Sequence, residues 1–317
     1  MPTPARIDVH QHFVPPAWSR ALTAGGDTVG GWAVPSWSPA EAVAMMDRQG
    51  IATGVLSVTA PGVHFDPGDD RAARELARQV NEDGAEIVRD RPDRFGLFAS
   101  IPLPDVDGAL TEATHALDVL GADGIVLVSN VHGRYLGDPD FTPLWAELDR
   151  RAAVVFVHPA QPPMAWLPGA PAPLVDFIFD TTRTAVDLVL AGVPRRFPNV
   201  RIILAHGGGF LPYAAYRFSG LTSISLDPDQ DADELIRDFK RFYFDTALSA
   251  SPSALPSLLA FAEPGHVLYG SDWPFAPEAA GEYYNGFLET YPCFESGGQE
   301  AIDRGNAEAL FGRPAVR

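Results

Sequence analysis

The 317-residue sequence predicts a single (β/α)8 barrel, and three observations predict it. Short apolar segments of strand length alternate with longer amphipathic ones, and the alternation repeats eight times. Four of the apolar segments run into a histidine or an aspartate, as expected where barrel strands open onto a catalytic mouth. Neither a repeat nor a low-complexity linker interrupts residues 1–317, so they read as one domain. A doubly wound sheet is the competing architecture, but it commonly carries fewer strands.

In order, Arg6-Ile7-Asp8-Val9-His10-Gln11-His12 alternates apolar with polar residues and reads as the first strand. Successive strand side chains point to opposite faces, which puts His10 and His12 on one face. Residues 14–38, rich in Gly, Pro and Trp, read as a long loop at the active site. Ser38-Pro39-Ala40-Glu41 supplies an N-cap, a proline for the first helical position and a capping-box glutamate, and Gly50 ends that helix. Strands follow at 51–58, 95–101, 124–128, 154–157, 200–205, 242–245 and 267–269. Helical segments are expected at 71–89, 106–120, 141–151, 176–196, after Leu211, at 253–262 and at 277–290, with 299–311 as an added C-terminal helix.

Composition narrows the function. A formal charge of -18 argues against nucleic acid and anionic membrane surfaces as partners. The lone Cys293 excludes an intramolecular disulfide and agrees with a cytoplasmic location. No apolar run reaches the roughly 18–20 residues of a membrane span, and Met1-Pro2-Thr3-Pro4 does not read as a signal peptide. Lys240 is the single lysine, and it reads as a solvated helix end. Schiff-base chemistry, a phosphate-loop lysine and a lysine-bridged metal pair all lose support.

The chemistry collects at strand ends. The fifth strand closes in His158, the sixth in His206 and the eighth in Asp272, facing His10 and His12 of the first. One such ending is more often a hydrogen-bonded loop residue; four together are not. Three histidines and a carboxylate suit one divalent ion with room for water or substrate, so His10, His12, His158 and Asp272 are the expected ligands. Asp272 is counted as a catalytic carboxylate as well. His206 is then the expected general acid/base, with a fifth ligand as its alternative role. Trp32, Trp37, Phe65, Trp166, Phe210, Tyr213 and Phe275 crowd the same loops; of these, Trp166 and Phe275 are expected to wall the substrate. His132, after the fourth strand, is a candidate support, whereas His64, His115 and His266 read as structural or surface groups. Gly207–Gly209 would suit a phosphate cradle or, preferably, close backbone packing.

Asp8-Val9-His10-Gln11-His12, Phe156-Val157-His158-Pro159, Ala205-His206-Gly207-Gly208-Gly209 and Gly270-Ser271-Asp272-Trp273-Pro274 together resemble the amidohydrolase superfamily. The chain is similar to its branch of aminocarboxymuconate-semialdehyde and γ-resorcylate decarboxylases, a likeness that also covers Tyr135-Leu136-Gly137-Asp138 and Asn306-Ala307. That resemblance implies a distorted barrel, one divalent metal (zinc before manganese) and a homodimer. It places the ligands on His10, His12, His158 and Asp272, and the acid/base on His206. Arg217 matches an arginine that holds a substrate carboxylate in relatives, sometimes across the dimer interface. The muconate enzyme's further arginine has no counterpart in residues 25–38, which argues against its dicarboxylate substrate. Arg183 is a substitute for it or, preferably, a member of a helix-surface salt bridge.

Two reactions suit these ligands: non-oxidative decarboxylation of a small aromatic ortho-hydroxy acid, and metal-assisted hydrolysis or hydration of a lactone, an amide or an unsaturated carboxylate. A non-enzymatic metal-binding barrel is a third class. The resemblance favours decarboxylation, and an apolar pocket with a single arginine favours a methylsalicylate-type monoacid over a dicarboxylate.

Overall fold

The computed structural model describes residues 5–26 and 28–312. Eight parallel strands pair in chain order: β1 (Arg6–His12), β2 (Ile51–Ser57), β3 (Phe95–Ser100), β4 (Gly124–Val128), β5 (Val154–His158), β6 (Arg201–Leu204), β7 (Tyr243–Asp245) and β8 (Val267–Leu268). Beyond β8 the chain returns to β1 and nearly closes the barrel: Val9 N donates to Tyr269 O (3.0 Å), His12 N to Trp273 O (2.8 Å) and Asp272 N to His10 O (2.8 Å). This seam matters for function, because it ties two histidine-bearing residues of β1 to the segment carrying Asp272.

One apolar cluster contains Ile7, Val9, Val55, Phe98, Val126, Phe156, Ile203 and Leu268, joined by Ala307 and Leu310 of the last helix, Asn306–Phe311. The larger cluster packs strands against the surrounding helices. The register of β1 against β2 slips between Asp8 and Gln11, and such irregularities re-aim side chains at the rims of barrels.

The expected helices are present, with three corrections. The expected loop at 14–38 contains the helix Pro16–Ala24, which opens on consecutive prolines and buries Trp18 and Leu22 one turn apart. The expected helix at 176–196 is two: Asp176–Leu190 stops, and Val193–Arg196 restarts after Gly192 in the left-handed region (φ 71°). A helix not expected as such, Ala232–Phe239, lies ahead of β7, capped by Asp231 accepting from Glu234 N (2.9 Å). Lys240 ends it, as expected. The Ser38 cap also forms, accepting from Glu41 N at 3.3 Å, and Gly50 closes that helix at φ 69°. Among the described residues no helix is long and apolar enough to cross a membrane.

Candidate metal centre

The C-terminal strand ends bring His10, His12, His158 and Asp272 together, all buried, each offering a ligand atom within 4.8 Å of the others. His10 Nε2 lies 3.1 Å from His12 Nε2, and Asp272 Oδ1 is 3.3 Å and 3.1 Å from those two nitrogens. The far nitrogen of each ring fixes its tautomer. His12 Nδ1 points at the Ser57 carbonyl (3.2 Å), His158 Nδ1 at the Pro159 carbonyl (2.7 Å), and His10 Nδ1 at the Asp245 carboxylate (2.8 Å). Carbonyls and carboxylates only accept, so each Nδ1 carries hydrogen and each neutral ring turns its Nε2 lone pair inward. Three lone pairs facing a carboxylate in a buried site need a cation among them. These residues therefore fit one metal ion.

Electrostatics agree. Burial opposes charge on His10, but Asp245 and Asp272 outweigh it and carry its pKa up to about 10. A proton thus occupies the cluster when no metal does. Burial pushes the His158 ring well below its ordinary value, aided by the neighbouring His12 and His10, and burial likewise lowers His12. Burial would raise the Asp272 carboxyl; His10 and His12 instead hold it well below the ordinary carboxylate range.

His206 lies beside this set, its ring 4.9 Å from that of His10 and 6.0 Å from that of His158. Its Nδ1 is 3.1 Å from the Ala247 carbonyl, which leaves Nε2 free to take or give a proton. His206 and Asp272 both have positive φ, 56° and 61°, conformations that cost a non-glycine residue about 1–3 kcal/mol and recur at functional sites.

Asp245 escaped the sequence reading. Buried at the end of β7, it accepts from His206 N (2.9 Å) and Ala247 N (2.9 Å) as well as from His10. The signal was available: Phe242-Tyr243-Phe244-Asp245 is another apolar run ending in aspartate. Asp8 is a second support, accepting from Ser271 Oγ (2.6 Å), Ser271 N (3.0 Å) and His10 N (3.1 Å); burial pushes its carboxyl up to about 7.

The other expected residues separate. Phe275 packs edge-on to His12, ring centroids 5.5 Å apart. Trp166 is half-buried and packs on the larger core cluster. Arg217 is exposed on the helix Leu211–Leu221 and has no ion pair among the described residues. Arg183 is exposed too, beside the Tyr135 hydroxyl, and no carboxylate pairs with it among the described residues; the expected surface salt bridge is absent there. Gly207, Gly208 and Gly209 have positive φ, and a Cβ on Gly209 would meet Thr182 Oγ1 at 2.5 Å, in keeping with close packing. Gly270 is equally constrained: a Cβ there would sit 2.9 Å from that of His10. His132 is exposed and contacts His64, not the centre. His64 is buried against His132, His266 stacks on Tyr243, and His115 is half-buried.

Comparison with known proteins places this geometry. The amidohydrolase family model matches residues 7–313. The chain is 41% identical to a 6-methylsalicylic acid decarboxylase of Penicillium expansum, an alignment covering 98% of this chain and 97% of the relative. It is similar to the crystal structure of 2,6-dihydroxybenzoate decarboxylase complexed with 2,6-dihydroxybenzoate, at TM-score 0.83 and 26% identity over 97% of this chain and 99% of the other. Another similar structure is a dihydroxybenzoic acid decarboxylase of Polaromonas with bound manganese and the inhibitor 2-nitroresorcinol, at TM-score 0.79 and 26% identity over 97% of each chain. The chain belongs to the amidohydrolase family and, within it, to the branch of aromatic-acid decarboxylases.

Proposed function

We propose that this aromatic-acid decarboxylase acts on a 2-hydroxybenzoate bearing a small apolar ring substituent, of the 6-methylsalicylate type. The observation that carries the reading is the inward convergence of three imidazole Nε2 atoms and the Asp272 carboxylate beside the free Nε2 of His206. The 41% identity over nearly the whole chain supports the substrate class.

His10, His12, His158 and Asp272 would hold a divalent ion, which when bound would supply Lewis acidity toward substrate oxygens. Three nitrogens and one oxygen suit zinc, while manganese in the Polaromonas enzyme makes it the competing choice. His206 moves the proton: its Nδ1–H is anchored on the Ala247 carbonyl, so Nε2 takes a proton from solvent and then delivers it to the ring carbon that bears the carboxylate, returning to the neutral ring. The carbon–carbon bond then breaks, its electron pair restores the aromatic ring, and CO2 leaves. Asp272, pinned by His10 and His12, stays ionised and holds positive charge in the site. Phe275 offers an apolar wall beside His12, and Trp166 is assigned to the outer wall.

We assign Arg217 to the substrate carboxylate across a homodimer, with Arg183 as its alternate. Arg217 lies amid exposed Tyr213, Tyr216, Leu221, Ile224 and Leu226, an apolar surface that a second copy would cover. Mixing Arg217→Ala with His206→Asn subunits should then restore part of the activity in heterodimers; no recovery, with dimers present, places the arginine in its own subunit or outside the site.

Turnover of 6-methylsalicylate in heavy water tests the reaction. One deuterium on the carbon that bore the carboxylate, with one CO2 released, is the expected result. Oxygen label entering the product from ¹⁸O water, without CO2, would establish hydrolysis or hydration instead.

A further inference from the structure

Two pairs of histidines meet nitrogen to nitrogen at the strand-end face of this barrel. One belongs to the centre just described. In the other, His64 Nδ1 lies 3.0 Å from His132 Nε2. His64 follows β2 in the loop leading to the helix Asp70–Asp90, and His132 lies in the turn between the short paired strands Asn130–Val131 and Arg134–Tyr135 after β4. Both loops leave C-terminal strand ends, so the pair shares a face with the metal centre.

The second pair repeats the plan of the first. His64 is 3% exposed, and its Nε2 lies 3.0 Å from Asp70 Oδ1. A carboxylate only accepts, so Nε2 carries the hydrogen and the neutral ring presents its Nδ1 lone pair to His132. In the same way Asp245 fixes the far nitrogen of His10, whose near nitrogen faces His12 at 3.1 Å. Two nitrogens each about 2.0–2.1 Å from one ion, at an angle between square and tetrahedral, stand about 2.9–3.4 Å apart. The observed separation falls in that interval. A direct hydrogen bond from His132 to His64 would have the same length, so the surroundings must discriminate.

Those surroundings are acidic. Asp66 favours charge on His132, Asp70 binds His64, and Asp69 lies between those two carboxylates in sequence. Arg71 and Arg74, on the helix that Asp70 opens, are already paired with Glu75 and Asp105. Asp66 holds Gly68 N with Oδ1 (3.0 Å), leaving its other oxygen available in an exposed loop. His132 is itself exposed, which gives an ion a way in.

We propose that His64 and His132 bind a second divalent transition-metal ion, more weakly than the central site, with Asp66 and water completing its coordination. Imidazole donors select zinc, copper or nickel over magnesium or calcium. The ion would staple the loop after β2 to the loop after β4.

The test uses the full chain with its central site loaded and loose metal removed by gel filtration. Zn²⁺ is then titrated calorimetrically and counted after equilibrium dialysis. Wild type should take up one further equivalent, His132→Ala none, and both should keep the first. Asp66→Asn should weaken the second equivalent by about 10-fold. With Cu²⁺, a visible absorption band should appear in wild type and be lost in His132→Ala. No further uptake by wild type overturns the proposal and leaves a hydrogen-bonded pair. Equal uptake by His132→Ala also overturns it, because the second ion then lies elsewhere; unchanged affinity in Asp66→Asn removes Asp66 from the site.

Discussion

At the lower end of β1 the Arg6 guanidinium is buried and has a partner on each of its three nitrogens. It donates to Asp303 Oδ1 (2.9 Å), Glu289 Oε1 (2.7 Å) and the Gln49 carbonyl (3.0 Å), and it lies 4.9 Å from the centre of the Tyr269 ring. At the upper end, His10 and His12 aim their nitrogens at each other and at Asp272. Three residues separate Arg6 from His10, yet the two ends handle buried polarity in opposite ways. The lower end is neutralised within the chain, as a group that only supports the fold must be. The upper end instead gathers three imidazole nitrogens and a carboxylate that together fit one metal ion. Donor atoms turned toward one another, more than the residue types, distinguish a candidate site from a brace.

The comparison would break most visibly if the upper end could lose a charge without consequence. Asp272→Ala should lower bound metal from about one equivalent per chain to almost none and reduce turnover to background; metal analysis after dialysis checks it, and full retention of the ion refutes the ligand set. Next in size is His206→Asn, expected to keep the ion while kcat falls about 10²–10⁴-fold. Loss of the ion with the activity would instead make His206 a fifth ligand.

Legibility in the sequence followed the same division. The barrel could be read because each strand is a short apolar run, and the four proposed ligands because they terminate such runs, as in Val154-Val155-Phe156-Val157-His158. Asp245 was missed although it ends a run too, because its role depends on a contact with His10 made 235 positions away. The helix Pro16–Ala24 was hidden by the prolines that open it and the glycines and Trp32 that follow it; its signal, Trp18 and Leu22 at i and i+4, spans barely more than one turn. Arg183 and Arg217 could be placed on helices from sequence, but their exposure and their lack of carboxylate partners among the described residues follow only from the fold.

Asp245→Asn sharpens the contrast, since it weakens the anchor of His10 and leaves all four proposed ligands in place. A 10–100-fold loss of metal affinity is expected, with turnover recovering at high metal concentration. The pH dependence of binding is a smaller effect with a definite slope. In the metal-free chain His10 holds a proton up to about pH 10, whereas burial keeps His12 and His158 below their ordinary values. Between about pH 7 and pH 10 the ion therefore displaces one proton, not three. Affinity should fall about tenfold for each pH unit lost in that window. Calorimetry near pH 8 in buffers of different ionisation enthalpy should count one proton released per ion; zero or three would show that the cluster is not held by a single proton.

Arg6→Met should have the smallest effect on turnover. Methionine keeps much of the arginine stem's apolar packing against Tyr269 but removes the charge that pairs with Asp303 and Glu289. Asp303 is mostly buried, so it loses its partner without regaining full hydration, while half-exposed Glu289 is re-solvated more readily. A loss of about 2–3 kcal/mol is expected, below the range for a fully buried pair because one partner is open to water. That loss should appear as a lower denaturant midpoint at unchanged m-value. Metal content and kcat should stay at wild-type levels in the folded protein, because none of the groups bound by Arg6 contacts a proposed ligand. If kcat falls while the metal stays bound, the two ends of β1 are coupled through the strand, and the separation of brace from site fails. A normal kcat with a lowered midpoint would mean that the barrel keeps its stability at one end and its chemistry at the other.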